Sequence, residues 1–175
     1  MTAVAQGIID AALAETKAWL RIETAGDDAT LAALVRSAVG MAEDFCGQML
    51  FVRAGTEVLS ATTAWQRLRT CPVRSITAAR ALSVDGTSAA LAADAWAMDI
   101  SGDGDGWIRT VQPGTGRVEV DLTAGIAADW ASLPDALRQG IVRLAAHLFV
   151  ERDNAVPAPA IVTALWRPWR RMRLQ

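Results

Sequence analysis

The chain has 175 residues, 52% of them hydrophobic and 21% charged, with a formal net charge of −2. That length suits one domain with room for a real core. The balance excludes a disordered chain, and it excludes a body built to hold nucleic acid, which would show a broad basic face. Two cysteines, Cys46 and Cys71, and a single histidine, His147, are too few for a disulfide framework or a zinc site.

The opening MTAVAQGIIDAALAETK has no basic n-region and no long apolar core, so it does not read as a signal peptide. No run reaches the roughly 18 apolar residues of a membrane span. The expectation is a soluble product of the cytoplasm, with both thiols reduced and buried. Residues 10 to 22 predict a first helix, with Ile9, Ala12, Leu13, Thr16 and Leu20 near one face. Gly26 breaks it, and Asp27 and Asp28 offer an N-cap for a second helix. There Leu31, Leu34, Val35, Ala38, Ala42, Phe45 and Met49 form one apolar stripe, and Gly47 is the stop. The two helices, spanning about 10–49, should form an antiparallel hairpin.

From residue 51 the helical spacing vanishes. VEVDLT at 118–123 alternates as a half-buried strand does, and Asp85-Gly86 marks a hairpin turn. Further strands are predicted near 56–61, 64–69, 74–84, 95–100 and 107–111, with Pro72 and Pro113 at edges, starts or turns. The stretch 51–125 therefore reads as one small antiparallel sheet inserted between helices. A long third helix starts after Ser132-Leu133-Pro134-Asp135, which suits a capping box, and runs over about 132–153 on Leu137, Ile141, Leu144 and Leu148. DNAVPAPA then reads as an extended linker. Pro159 can open a last short helix that Pro168 ends or kinks. The fold class is α+β, with a single domain over 1–157 and a projecting C-terminal segment over 158–175.

That segment is the chain's most unusual part. Residues 161–175, IVTALWRPWRRMRLQ, carry Arg167, Arg170, Arg171 and Arg173 and no acid, while the other residues hold 13 basic side chains against 19 acidic ones. Trp166, Trp169, Met172 and Leu174 are interleaved with the arginines. A peptide this short is marginal as an isolated helix, and Trp and Arg are the residues that dominate binding hot spots. The segment reads as a docking peptide for another protein. Two other readings compete. Trp166 could fill a groove of its own subunit. Alternatively the arginines could bind nucleic-acid phosphates or an anionic membrane, although Pro168 interrupts the helix a membrane binder needs.

Signatures of catalysis are missing. SGDGDGW at 101–107 has no closing Glu at the twelfth position of a calcium loop and no following GK[ST], so a flexible turn is the expectation. PGTG at 113–116 is likewise a turn. His147 has no ligand or catalytic partner nearby in sequence and reads as a packing or interface histidine. A small hydrolase would instead require His147 to meet carboxylates in a pocket. Neither a cofactor nor a metal is implied.

Taken together, the segments resemble phage head–tail adaptor (connector) proteins. LAETKAWLRIETAGDDATLAALVRSAVGMAEDFCG is similar to that family's opening: a short helix ending in K-x-x-L-R-I, an acidic turn, and a Leu/Ala-rich helix. LRTCPVRSITAARALSVDGT resembles its L-x-x-x-P-V-x-S-I segment, and RVEVDLTAGIAADWASLPDALRQGIVRLAAHLFVERD resembles its strand, L-P-x-x-L-R and helix block. ALWRPWRRMRL is similar to the L-x-x-P-[YW]-R-R ending, so the likeness covers nearly the whole chain. Two departures stand out. Ala12 replaces the usual Ser or Thr, leaving Asp10 as a candidate cap. Gly140 lies inside a helix where Ala is usual, at a cost of up to about 1 kcal/mol.

The resemblance implies a structural part and not an enzyme. Its members, adaptors of gene-transfer-agent particles included, form rings of roughly twelve copies. Such a ring sits under the portal protein, meets a stopper or tail-completion protein below, and lets DNA pass through its channel, with no membrane involved. The implied location is the head–tail junction of a phage-like particle. The implied portal-binding residues are Leu165, Trp166, Pro168, Trp169 and Met172 as apolar anchors, with Arg167, Arg170, Arg171 and Arg173 pairing with portal carboxylates. An acidic body would let DNA slide through.

Overall fold

The computed structural model describes residues 2–111, 116–151 and 156–171. The expected turn at 113–115, the start of the linker at 153–155, and Met172, Arg173 and Leu174 lie outside them. The chain divides into two compact units, residues 1–3 with 52–126, and residues 4–51 with 127–175.

The second unit is helical. It contains α1 (Gln6–Leu20), α2 (Asp28–Cys46), α3 (Asp135–Val150) and α4 (Ala160–Trp166). α1 starts four residues before the sequence suggested, after Ala5 and without a side-chain cap, because Ile8 and Ile9 are buried and extend the apolar face backwards. Asp10 is therefore not a cap. It accepts a hydrogen bond from Gln6 instead. The first helix ends on Arg21, in the left-handed region at φ 58°, whose N–H reaches Ala18 O while that of Ile22 reaches Lys17 O. Those bonds close the last carbonyls of α1 and turn the chain back. Lys17 then pairs with Asp28 at the head of α2, tying the hairpin.

The stripe predicted for α2 holds in its centre, while Leu34 and Phe45 are half-buried, Met49 lies beyond the helix end, and Val39 and Cys46 join the buried face. Leu31, Val35, Ala38 and Ala42 are fully enclosed, and Gly47 ends the helix at φ 65°. α3 adds Leu137, Ile141 and Leu144 to the same core. The predicted capping box does not form. Pro134 occupies the N-cap position, and Ser132 turns back to Asp129, giving its N–H to the carboxylate at 2.8 Å and its hydroxyl to the carbonyl at 3.1 Å. Trp130 stacks on Phe51 and donates its indole N–H to Glu15 at 2.8 Å.

Ser132 holds the Asp129 carboxyl below its usual range, first through its backbone N–H and then through its hydroxyl. The folded pKa is depressed, so this turn adds stability above the unfolded carboxylate value of about 3.9. The contribution fades as pH falls through the folded value. Asp129→Asn should therefore flatten that part of the acid limb in urea unfolding followed from pH 7 to pH 3. An acid limb identical to the parent's would refute the assignment.

The first unit holds two antiparallel sheets where the sequence suggested one. The strands are β1 (Arg53–Ser60), β2 (Gln66–Arg67), β3 (Val73–Leu82), β4 (Ser88–Ala90), β5 (Trp96–Ile100), β6 (Gly106–Thr110) and β7 (Arg117–Ala124). One sheet has the order β1-β7-β3-β4 and the other β2-β6-β5. The division follows from pairing: β6 takes β2 and β5 as its partners, so it never joins β7. The alternation read in VEVDLT holds, with Val118, Val120, Leu122 and Ala124 buried. In β3 the buried residues are Val73, Ile76 and Ala79, three apart, because the register shifts twice against β7. On the other face Arg80 spans Glu119 at 3.0 Å and Asp121 at 2.6 Å. The Asp85-Gly86 turn joins β3 to β4 as expected, with Gly86 at φ 87°.

Candidate docking surface

The C-terminal segment is seated within the helical unit. Pro159 opens α4, and Val162 and Trp166 project one turn apart on its inner face, with 1% and 3% of their surface exposed. Gly140 in α3 makes the seat for the indole. A Cβ built on Gly140 would lie 2.1 Å from Trp166 Nε1 and 2.7 Å from Cε2. The indole N–H donates to the Leu137 carbonyl at 3.3 Å, and Phe45 of α2 lies 5.9 Å away as a tilted ring. The glycine flagged in the sequence as a helix weakness is thus the hole into which the tail's first tryptophan fits.

After Trp166 a single 3-10 turn, Arg167–Trp169, carries Pro168 and redirects the chain across the C-terminal end of α2. The carbonyls of that end lack intrahelical partners. Arg171 N–H reaches Cys46 O at 2.8 Å, and the Gln48 side-chain amide donates to Trp169 O. A Cβ on Gly47 would come within 3.2 Å of Arg171 O, so Gly47 also leaves room for the crossing chain. Arg170 places its guanidinium 5.7 Å from the centre of the Phe45 ring. Cationic side chains beside a helix C-terminus oppose its macrodipole favourably. Cys46 is enclosed here. Its thiol is pushed up to about 11, mainly by burial and secondarily by Glu43.

One sequence expectation is therefore corrected. Trp166 is not presented to a foreign surface; its own subunit encloses it, because Gly140 and Phe45 supply a cavity of its shape. Arg167, Pro168 and Arg170 are exposed, and Leu165, Trp169 and Arg171 are half-buried. These residues form a basic ridge with Trp169 in its middle. Met172 and Arg173 fall outside the described residues. The supporting residues Phe45, Cys46, Gln48 and Gly140 were not read as part of the site. Only Gly140 gave a signal, as a glycine inside a helix.

Elsewhere the described residues hold no group of three or more His, Cys, Asp or Glu able to share a metal ion. His147 Nε2 lies 3.2 Å from the Val156 carbonyl and so braces the chain leading into α4.

Three solved structures are similar to this chain over all of its length and 95% of theirs. They are the neck of an empty gene-transfer-agent particle with C6 symmetry (31% identity, TM-score 0.80), the neck of a native particle with C12 symmetry (29%, 0.80), and the virion of a native particle (31%, 0.78). No protein-family model matches the chain, and no curated protein does.

Proposed function

We propose, because this chain belongs to the phage head–tail adaptor family with the adaptors of gene-transfer-agent particles, that it forms the ring linking portal to tail. It is a structural component of the neck of a phage-like particle, and it assembles as a ring at the head–tail junction. The ring lies under the portal, meets a stopper or tail-completion protein below, and lines the path of DNA without catalysing a reaction. Carrying the reading is the likeness over the full length to a neck chain at 31% identity. The excess of acidic over basic side chains outside the tail supports it, since a channel wall that repels phosphates lets DNA pass.

The basic ridge is the portal-facing element of this reading. Leu165, Pro168 and Trp169 supply apolar contact, and Arg167, Arg170 and Arg171 face portal carboxylates; Met172 and Arg173, outside the described residues, keep the portal-binding role the resemblance implies for them. Trp166 acts at one remove, by holding the ridge in place. A membrane role is disfavoured by the same geometry, because the apolar face of α4 is already used against α2 and α3.

The triple variant Arg167→Ala/Trp169→Ala/Arg170→Ala tests the ridge, since these side chains carry little of the core. A hot-spot residue contributes about 2 kcal/mol or more, so the monovalent affinity should fall by well over tenfold. Portal co-sedimentation, read at several ring concentrations to allow for avidity, checks it. Portal binding equal to the parent's would remove the ridge from the interface. Tight binding of the parent to DNA alone at physiological salt would favour the nucleic-acid reading instead.

A further inference from the structure

The first sheet ends in two edges whose outward-bonding positions carry no charge and no proline. Edge strands of monomers are normally guarded by shortness, charge, proline, bulges or a covering segment, and of these β4 has only its shortness. β1 is one edge and β4 the other. In β1 the residues facing away from β7 are identified by their bonds. Ala61 N–H goes inward to Gly116 O, whereas Ala54 O accepts from Thr2 N–H and Ser60 O from the Gln66 side chain. Thr56 and Val58, between those two covered points, therefore point their N–H and C=O outward and find no partner among the described residues. Their side chains are exposed and uncharged.

β4 repeats the situation. Thr87 O and Leu91 N–H are bonded inward to β3, at Ser83 and Ala79. The intervening Ser88 and Ala90 thus direct their backbone groups outward, again unpartnered among the described residues. The strand reads Ser-Ala-Ala, each residue exposed and small enough for another backbone to approach closely.

We infer that β1 of one copy pairs with β4 of the next in the ring, so that the sheet runs across each subunit boundary. This rests on the ring reading above. A cyclic ring needs two different, complementary surfaces on each subunit, and the two opposite edges of one sheet supply them. The strand directions also match. All four strands are antiparallel to their neighbours, so β1 and β4 run in opposite senses. Rotation about the ring axis preserves sense, so the next copy's β1 meets β4 as an antiparallel partner. Thr56 then faces Ala90 and Val58 faces Ser88, each pair exchanging both backbone hydrogen bonds. Thr2 and Gln66 bracket this window and fix the register.

The test uses the full chain assembled with the portal of its own particle. Opposed residues of such a pair lie about 5.5 Å apart at Cα, within disulfide reach. Val58→Cys/Ser88→Cys should give, on mild oxidation, a ladder of covalent multimers reaching the ring size. Val58→Cys/Val84→Cys, with its second thiol on the turn, should give none. Val58→Pro removes one outward N–H and no bond within the sheet, so the monomer should fold while ring formation drops at least tenfold by native mass spectrometry. A ring that forms without the ladder, and forms equally well from Val58→Pro, would overturn the edge pairing and leave the ring reading standing. Failure of the parent chain to form any ring would overturn both.

Discussion

Trp166→Ala should destabilise the helical unit by about 3–5 kcal/mol, the range for emptying a large aromatic site. The indole is almost completely enclosed, and its removal empties the seat at Gly140 and takes a donor from the Leu137 carbonyl. Gly140→Ala is the reciprocal experiment. In an ordinary helix this change stabilises by up to about 1 kcal/mol. Here the new methyl would lie 2.1 Å from Trp166 Nε1, so the sign should invert to a loss of about 1–3 kcal/mol from overpacking. The double variant restores the ordinary case. With the indole gone, a methyl group at position 140 has room, and Gly140→Ala/Trp166→Ala should be up to about 1 kcal/mol more stable than Trp166→Ala alone. Urea unfolding of the four proteins measures the cycle. Cys46 gives a second readout, because its thiol is buried and its Sγ lies 4.0 Å from Trp166 O. Labelling at Cys46, located by mass spectrometry, should be slow in the parent at pH 8 and fast in Trp166→Ala. A Gly140→Ala variant more stable than the parent would refute the lock.

The helices were legible because burial repeats with their own period. The stripe of α2 and the alternation of β7 each depend on neighbours a few residues away in sequence. What escaped depended on distant partners. The three-residue spacing of buried positions in β3 comes from bulges against β7, some 40 residues downstream, and matches neither strand nor helix period. Ser-Ala-Ala in β4 carries no strand propensity and is ordered by its hairpin. Ser132 satisfied a capping pattern, but its hydroxyl is taken up by the Asp129 backbone, accepting from its N–H and donating to its carbonyl. In the tail the composition marked adhesive side chains, yet it could not divide them between inside and outside. The division is made by Gly140, 26 positions before Trp166. Arg167 remains outside beside the enclosed Trp166, and Arg170 lies beyond the 3-10 turn that carries Pro168.

The three glycines of SGDGDG should respond differently to alanine, although the sequence gives them one apparent role as a flexible turn. The loop is closely bonded: Gly104 N–H reaches Ser101 O at 2.9 Å, Ser101 N–H reaches Asp105 O at 2.9 Å, and Gly104 O accepts from Val73 N–H at 2.8 Å. Gly104 sits at φ 78°, and a Cβ there would lie 2.6 Å from Pro72 Cβ and 3.1 Å from Pro72 Cα. The left-handed conformation costs alanine roughly 1–2 kcal/mol. The collision with a rigid ring adds a packing loss of about 1–3 kcal/mol. Gly104→Ala should therefore lower the stability of the sheet unit by several kcal/mol. Gly106 has an ordinary φ, and its Cβ would meet Leu68 Cδ1 and Val73 Cγ2, both at 2.8 Å. Those are ends of side chains that can shift, so Gly106→Ala should cost less. Gly102 has nothing within 4 Å of its added Cβ, and its substitution should be close to neutral. Thermal unfolding of the three variants should rank them 104, then 106, then 102, and calcium should leave the order unchanged. Equal effects at all three would mean that the turn is loose. A large rescue by calcium would mean that its carboxylates hold a cation. The ranking this structure requires follows from where Pro72, Leu68 and Val73 stand against the loop, a placement made by chain some 30 residues upstream.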